Sequence, residues 1–417
     1  MQKWETDDRM LDHSWYVTPE YKDVFRRLRD EDPVHWTEDD SYGKHHWTIS
    51  RYDDVKQFLS NHAQLSNRWD TRIPATPKRY TPEERFAMGF DTSMARNDPP
   101  THDMYRRPVN KHFSVPAIKK LTGDVSSIVD EIFAEAREKE EVDIVDQIAG
   151  ELPARVVLRM LGVPEADWDE LRVAAWRWLS PGDDRYSIDG DAVKTSRVGQ
   201  KTLLDYCADL AVARRQEPKD DFATVLGQIR IDDDPLTVHE MRNYMSVIIG
   251  GGLETTRSAA SLGLLKFIKD RDQAQLLRED PSLGTSAVDE VLRWASPVRS
   301  KFRVASADFE WHGKEIRTGD WVVGLLASGN WDERAFKDPD KFDIRRNPNP
   351  HLTFGEGIHL CLGRNLARLE LATLFSRFVT EFPDAELTGP TEYMADRIIS
   401  TLRSQSVRLN ASVPASR

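Results

Sequence analysis

A cysteine preceded by two glycines and a histidine marks the place where residue type and spacing most directly imply chemistry. The string is Phe354-Gly355-Glu356-Gly357-Ile358-His359-Leu360-Cys361-Leu362-Gly363. Glycines this close to a cysteine let the backbone turn tightly and approach a flat partner. Beyond it, Leu366, Leu369, Leu374 and Phe378 form one apolar helical face. Cys361 is therefore expected at a helix N-terminus, where amides and the helix dipole favour thiolate over thiol. A thiolate in a dry, amide-lined loop is a strong donor to a metal ion. An inert buried cysteine beside a turn would share these local features, and for a bare cysteine it is the commoner outcome.

A second cluster lies on a long helix. Thr237-Val-His-Glu240 has a capping-box pattern, and the helix it opens is expected to run to about residue 268. Midway along it stands Gly250-Gly251-Gly252-Leu253-Glu254-Thr255-Thr256. Each interior glycine costs about 1 kcal/mol relative to alanine, so three in succession need a cause. A planar ligand against the backbone is one cause, a local widening of the helix is another, and close helix packing is a third. The adjoining carboxylate and hydroxyl are the residue types that relay protons.

Two further patterns are weak alone. Glu290-Val-Leu-Arg293 puts an acid and a base on one helix face, a spacing common in surface ion pairs. Asp98-Pro-Pro-Thr-His102-Asp-Met-Tyr-Arg106 starts a helix at its prolines and aligns His102 with Arg106. From spacing alone those two cations are merely solvated.

Together and in this order the patterns resemble the cytochrome P450 family. The string Phe-Gly-x-Gly-x-His-x-Cys-Leu-Gly matches its heme-binding signature position for position. The resemblance runs from the first hairpin to the last helix and implies a mainly α fold with small β-sheets, the family's triangular prism. It implies heme b with Cys361 as the iron ligand, and Phe354, Gly355 and Gly251 packed against the heme. Glu254 and Thr255 resemble the acid–alcohol pair that delivers protons during dioxygen activation, with Thr256 able to share the role of Thr255. His102, Arg106, Arg303 and His359 resemble the clamp on the heme propionates; four cations suit two carboxylates in a buried site. Glu290 and Arg293 resemble the invariant structural pair bonded to the meander before the cysteine loop. The family often adds an arginine where this chain has Lys341, and Arg345 is the candidate substitute.

The elements that must hold these residues are readable only coarsely. Residues 34–50 alternate around Tyr42-Gly43 as a hairpin, and 309–324 form another. Residues 66–98 make a long irregular connection of the kind that is usually functional or mobile. From about 115 to 268 most segments look helical, broken at Pro164, Pro181-Gly182, Pro218 and Pro235. No repeat or flexible linker interrupts the chain, so residues 1–417 are expected to form one domain.

The chain is 39% hydrophobic and 31% charged, which fits a globular protein. Its net charge of -12 disfavours nucleic acid as a partner. No apolar run is long enough for a membrane span, and the N-terminus has no secretory pattern, so a cytoplasmic, soluble monomer is expected. The two cysteines, Cys207 and Cys361, read as free thiols, and no Cys-x-x-Cys offers a zinc or iron–sulfur site.

The resemblance implies a monooxygenase that hydroxylates or epoxidises a small hydrophobic substrate. With no fused reductase, its two electrons come from a ferredoxin and an NAD(P)H-dependent reductase. Arg107, Lys111 and Arg364 are the candidate docking residues. Pocket walls are expected from 66–98, from 165–200 and from Pro297-Val298-Arg299-Ser300-Lys301-Phe302, with Val298 facing the heme. Arg299 and Lys301 face propionates or solvent, or else point inward and favour an anionic substrate. A peroxide-driven heme-thiolate enzyme and a heme sensor are the rival readings, and neither has a use for the acid–alcohol pair.

Overall fold

The computed structural model describes residues 3–41, 43–69 and 81–410. Tyr42 of the expected hairpin turn and residues 70–80 of the long connection lie outside them. Seven helices matter for the site: α1 (Thr101–Asn110), α2 (Glu151–Leu161), α3 (Trp168–Leu179), α4 (Ala192–Gln216), α5 (Val238–Lys269), α6 (Gly284–Ala295) and α7 (Arg364–Glu381).

Helix α5 is the central one. Its 32 residues span roughly 48 Å at 1.5 Å per residue. Its start is fixed by the expected capping box: the Glu240 amide donates to Thr237 Oγ1 at 3.1 Å, and the Thr237 amide donates to the Glu240 carboxylate at 2.6 Å. Beyond its first turns it is buried on nearly every side, which is the pattern of a core helix. It packs against α2, α3 and α4 on one flank and α6 and α7 on the other. The largest apolar core surrounds it, including Phe267, Phe375, Phe378 and Phe382.

A five-stranded sheet forms the second layer, from β1 (Val34–Thr37), β2 (His46–Ile49), β3 (Leu65–Ser66), β4 (Lys301–Ala305) and β7 (Trp321–Gly324), in the order β1-β2-β7-β4-β3. The first hairpin is as expected, with Val34 opposite Ile49. The second is shorter than expected. Only β5 (Phe309–Trp311) and β6 (Lys314–Ile316) pair, through a turn in which His312 and Gly313 both have positive φ. Trp321–Gly324 instead enters the main sheet, parallel to β2 and antiparallel to β4. Its burial explains the choice, since Val322 is fully enclosed in the core beneath the sheet.

Among the described residues, no helix is long and apolar enough to cross a membrane. The mainly α architecture with small sheets agrees with the expectation.

Candidate active site

A cavity of about 340 Å³ lies between α5, the cysteine loop and the sheet edge. Cys361 lines it beside Phe354, Gly355 and His359, with Arg106, Arg303, Gly251, Thr255 and Thr256 also on its walls. The sequence candidates therefore meet in one place, with two exceptions. His102 stands behind His359, their ring centroids 4.6 Å apart, and Glu254 faces away.

The cysteine loop is built by its glycines: Gly355 and Gly357 have φ of 77° and 71°, a region that side chains resist. The turn lets the Cys361 amide donate to the Phe354 carbonyl at 2.8 Å. Helix α7 begins only at Arg364, so Cys361 sits ahead of the helix rather than in its first turn. The expected thiolate preference does not follow in the protein alone. Burial pushes the Cys361 thiol upward, against the Gly363 amide and the charges of Arg106, Lys301 and Arg364. A metal cation is what reverses that balance. Cys207, also free, is buried in the core and pushed up to about 12, an inert packing residue.

Among the described residues the two arginines of the cluster have no carboxylate partner, while His102 Nδ1 meets Asp103 Oδ1 at 2.8 Å. Arg106 donates to the Leu360 carbonyl at 2.6 Å, and Arg303 donates to the carbonyls of Phe58 and Leu59 at 2.7 and 2.8 Å. Neither makes an ion pair among the described residues. Burial lowers Arg303 to about 10, and burial together with His102, Arg303 and Arg106 drives His359 down to about 3. The Nε2 atoms of His102 and His359 are buried without a hydrogen-bond partner. Buried donors and cations in this state call for acceptors. A group with two carboxylates at this rim, planar against α5 and carrying a metal over Cys361, meets every one of these demands. Heme fits.

The three glycines of α5 have three different neighbours. A Cβ on Gly251 would meet no heavy atom within 4 Å, so its face opens on the cavity. On Gly250 it would press on the Trp178 ring at 2.8 Å, and on Gly252 it would stand 3.0 Å from Val157 Cγ2. Close packing thus accounts for two of them and the cavity for one. Thr255 Oγ1 donates to the Gly251 carbonyl at 2.8 Å. Glu254, one residue away and so on another face, is buried and held by Arg257, whose Nη2 donates to both carboxylate oxygens at 2.9 and 3.0 Å.

Glu290 and Arg293 are fully buried and paired, Nε to Oε2 at 2.8 Å and Nη2 to Oε1 at 2.9 Å. Arg293 also donates to the carbonyls of Asn330, Pro339 and Lys341. The expected substitute is corrected by one position. Arg345 is exposed and its amide bonds Asp343, whereas Arg346 Nε donates to Glu290 Oε2 at 3.1 Å. The backbone pairs Asp343 and Ile344 with α6 and Gln273, so side chains alternate and 346 turns inward.

Two pocket expectations also change. Among the described residues, none from 165–200 lines the cavity; Val157 and Met160 of α2 do, because α3 lies outside α5 with Trp178 against Gly250. Arg299 points away, donating to the carbonyls of Asp396 and Ile399 and stacking over Tyr16 and Tyr21. Val298 and Lys301 line the cavity, with Asn67, Met94 and Ala95 from the long connection. Two residues were missed. Arg257 stands at i+3 from Glu254, the same spacing that singled out Glu290 and Arg293. Glu370 interrupts the Leu366–Leu374 stripe at i+4 and lines the cavity's floor, its Oε2 buried without a partner.

Comparison with known proteins agrees. The pattern defining the family "Cytochrome P450" matches residues 199–388, which include the glycine helix, the Glu290–Arg293 pair and the cysteine loop. A steroid C26-monooxygenase of Rhodococcus jostii is 34% identical, covering 88% of this chain and 77% of the relative. The 6-deoxyerythronolide B hydroxylase of Saccharopolyspora erythraea is 32% identical over 90% of both. The solved structure of a Mycobacterium marinum cytochrome P450, CYP268A2, in complex with pseudoionone is similar at a TM-score of 0.87, with 30% identity, covering 98% of this chain and 99% of that one. The chain belongs to the cytochrome P450 family, the monooxygenases that carry heme b.

Proposed function

We propose that this protein, as a single domain, hydroxylates or epoxidises a hydrophobic organic molecule, taking two electrons from a ferredoxin and its NAD(P)H-dependent reductase. The observation that carries this reading is the convergence of Cys361, the anion-seeking cluster and Thr255 on one cavity. Cys361 would ligate the iron, with Arg106, Arg303 and His359 on the propionates and His102 orienting His359. Gly251, Phe354 and Gly355 would pack on the macrocycle. Bound there, heme b supplies dioxygen activation: one oxygen atom enters a C–H or C=C bond, and the other leaves as water with two electrons and two protons.

The chain's own part is to move those protons and exclude water. The Thr255 hydroxyl spends its proton on the Gly251 carbonyl, so its lone pairs face the cavity and accept a hydrogen bond there. Glu254 holds the next proton position. Its pairing with Arg257 means a transfer toward Thr255 needs the carboxylate to rotate or a water to bridge. Thr256, nearly buried on the same wall, is the weaker candidate.

The substrate side of the cavity is apolar, from Met94, Ala95, Val157, Met160, Val247, Ile248 and Val298. That lining suits a terpenoid, steroid or polyketide better than an aromatic acid; Arg299, turned away, offers such an acid nothing, and Lys301 on the wall is the cation such an acid would meet. Relatives are named for steroids and for 6-deoxyerythronolide B, and a 26% identical solved structure holds an acyl carrier protein bearing hexadec-9Z-enoic acid. A cytoplasmic monomer, reduced at the face carrying Arg107, Lys111 and Arg364, completes the proposal. The test is a visible-spectrum titration of the ferric protein with steroids, terpenoids, polyketides and aromatic acids. A low-to-high-spin shift with one apolar class assigns the substrate class. A shift confined to carboxylates would overturn the apolar assignment, and a protein without heme would overturn the whole reading.

A further inference from the structure

We propose that Asp146 is the inlet through which solvent protons reach Glu254, with Arg257 positioning the link between them. The proposal rests on the monooxygenase reading and adds where its two protons enter.

Glu254 and Arg257 are both buried, their side chains 4% and 2% exposed. The guanidinium uses only Nη2 on the carboxylate, and Ser180 Oγ donates to Glu254 Oε2 at 3.3 Å. Its Nε and Nη1 are buried with no hydrogen-bond partner. An orphaned buried donor costs about 1–3 kcal/mol, and two on one group call for an acceptor between it and its surroundings. The Trp176 ring closes one side, its centroid 4.6 Å from the guanidinium carbon. Asp146 lies on another side: a Cβ on Gly150 would stand 3.5 Å from both Arg257 Cδ and the Asp146 carbonyl oxygen, and the Asp146 charge bears on Arg257.

Asp146 joins this interior to solvent. Its side chain is 29% exposed and pairs with Arg185 Nη1 at 2.5 Å. Arg185, 28% exposed, also holds Asp183 at 2.6 Å and approaches Asp143 at 4.0 Å. Burial pushes the Asp146 carboxyl up, Arg185 and Arg257 pull it down, and Asp143 and Asp183 push it up again. The net direction is upward, so this carboxyl takes a proton more readily than an ordinary surface aspartate.

The order is then solvent, Asp146, a water held by Arg257 Nε or Nη1, and Glu254. Arginine itself stays protonated throughout. Asp146 takes each proton from hydronium or a buffer acid, passes it inward and returns to carboxylate. Two passages per turnover match the two electrons arriving from NAD(P)H.

The experiment uses the heme-loaded protein without substrate, with NADPH, a surrogate ferredoxin and its reductase, and dioxygen as the sole acceptor. One-electron reduction releases superoxide and consumes no proton, whereas peroxide requires two electrons and two protons. In Asp146→Asn the superoxide share and the solvent deuterium isotope effect on dioxygen consumption rise several-fold. Asp146→Glu restores both, and Asp184→Asn, a neighbouring surface charge, leaves them at wild-type values. An Asp146→Asn protein that matches wild type in both readouts overturns the proposal. So does one that fails to bind heme, which makes Asp146 structural. Absence of the heme-thiolate carbon monoxide spectrum in the wild-type protein would instead overturn the parent reading.

Discussion

Thr255 and Thr256 are adjacent hydroxyls on one cavity wall, yet their surroundings separate them. Thr255 is open to the cavity and anchored to the Gly251 carbonyl, while Thr256 is 5% exposed. Thr255→Ala is expected to cut product formed per reductant consumed by about 10-fold or more, with peroxide rising in step, and Thr256→Ala to change it little; the ratio of product to peroxide checks both. Gly250 and Gly251 divide in the same way. Gly250→Ala drives a methyl into Trp178 and is expected to cost about 1–3 kcal/mol, read in a thermal melt. Gly251→Ala relieves up to about 1 kcal/mol of helix cost without a clash inside the protein. Its methyl instead enters the cavity and alters the heme spectrum.

Helices and loops explain why some of this could be read from the chain alone and some could not. The capping box at Thr237, the i,i+3 pair Glu290–Arg293 and the Gly355–Cys361 turn are local, written within a few residues, and each is found where its spacing puts it. What failed was tertiary. Choosing between Arg345 and Arg346 depends on which way the backbone alternates after Asp343 bonds Glu290, and no local pattern carries that. The wall expected from 165–200 is supplied by Val157 and Met160, because the stacking of α3 outside α5 is a matter of packing order. Arg257 and Glu370 obeyed rules already in use, i+3 and i+4 on a helix face, but a charge in an apolar stripe reads as misplaced until its burial is seen. The corrected meander has a test. Arg346→Ala is expected to destabilise the protein by about 2 kcal/mol through lost charged hydrogen bonds, and Arg345→Ala to stay within about 0.5 kcal/mol, by denaturant melts of the two variants.

For the molecule entire, two properties follow from charges far apart. Glu370 is pushed from 4.5 to about 8 by burial alone, so the folded protein holds a proton that the unfolded chain releases. Its contribution to stability is full below about pH 4.5 and is lost as pH rises through about 8. Glu370→Gln is expected to flatten the decline in melting temperature between about pH 4.5 and 8; an unchanged slope there would remove Glu370 from the account. At the surface, Arg107 is 78% exposed beside Asp103, and Arg364 caps the Cys361 carbonyl at 3.1 Å. Charge reversal at Arg107 or Lys111 is expected to slow reduction by an acidic ferredoxin, most at low salt, while the substrate titration stays as it was. Stopped-flow reduction at two ionic strengths separates this from a loss of fold.

Arg299 carries a further consequence. Its guanidinium ties the carbonyls of Asp396 and Ile399 together and reaches Tyr16, directly behind the Val298 wall, which itself bridges to Ile399. Three stretches, 283 and 97–100 residues apart in the chain, thus share one knot. Chimeras between this chain and a relative inherit a donor's pocket shape only when all three stretches travel together, and a crossover between them leaves a wall whose backing belongs to another parent.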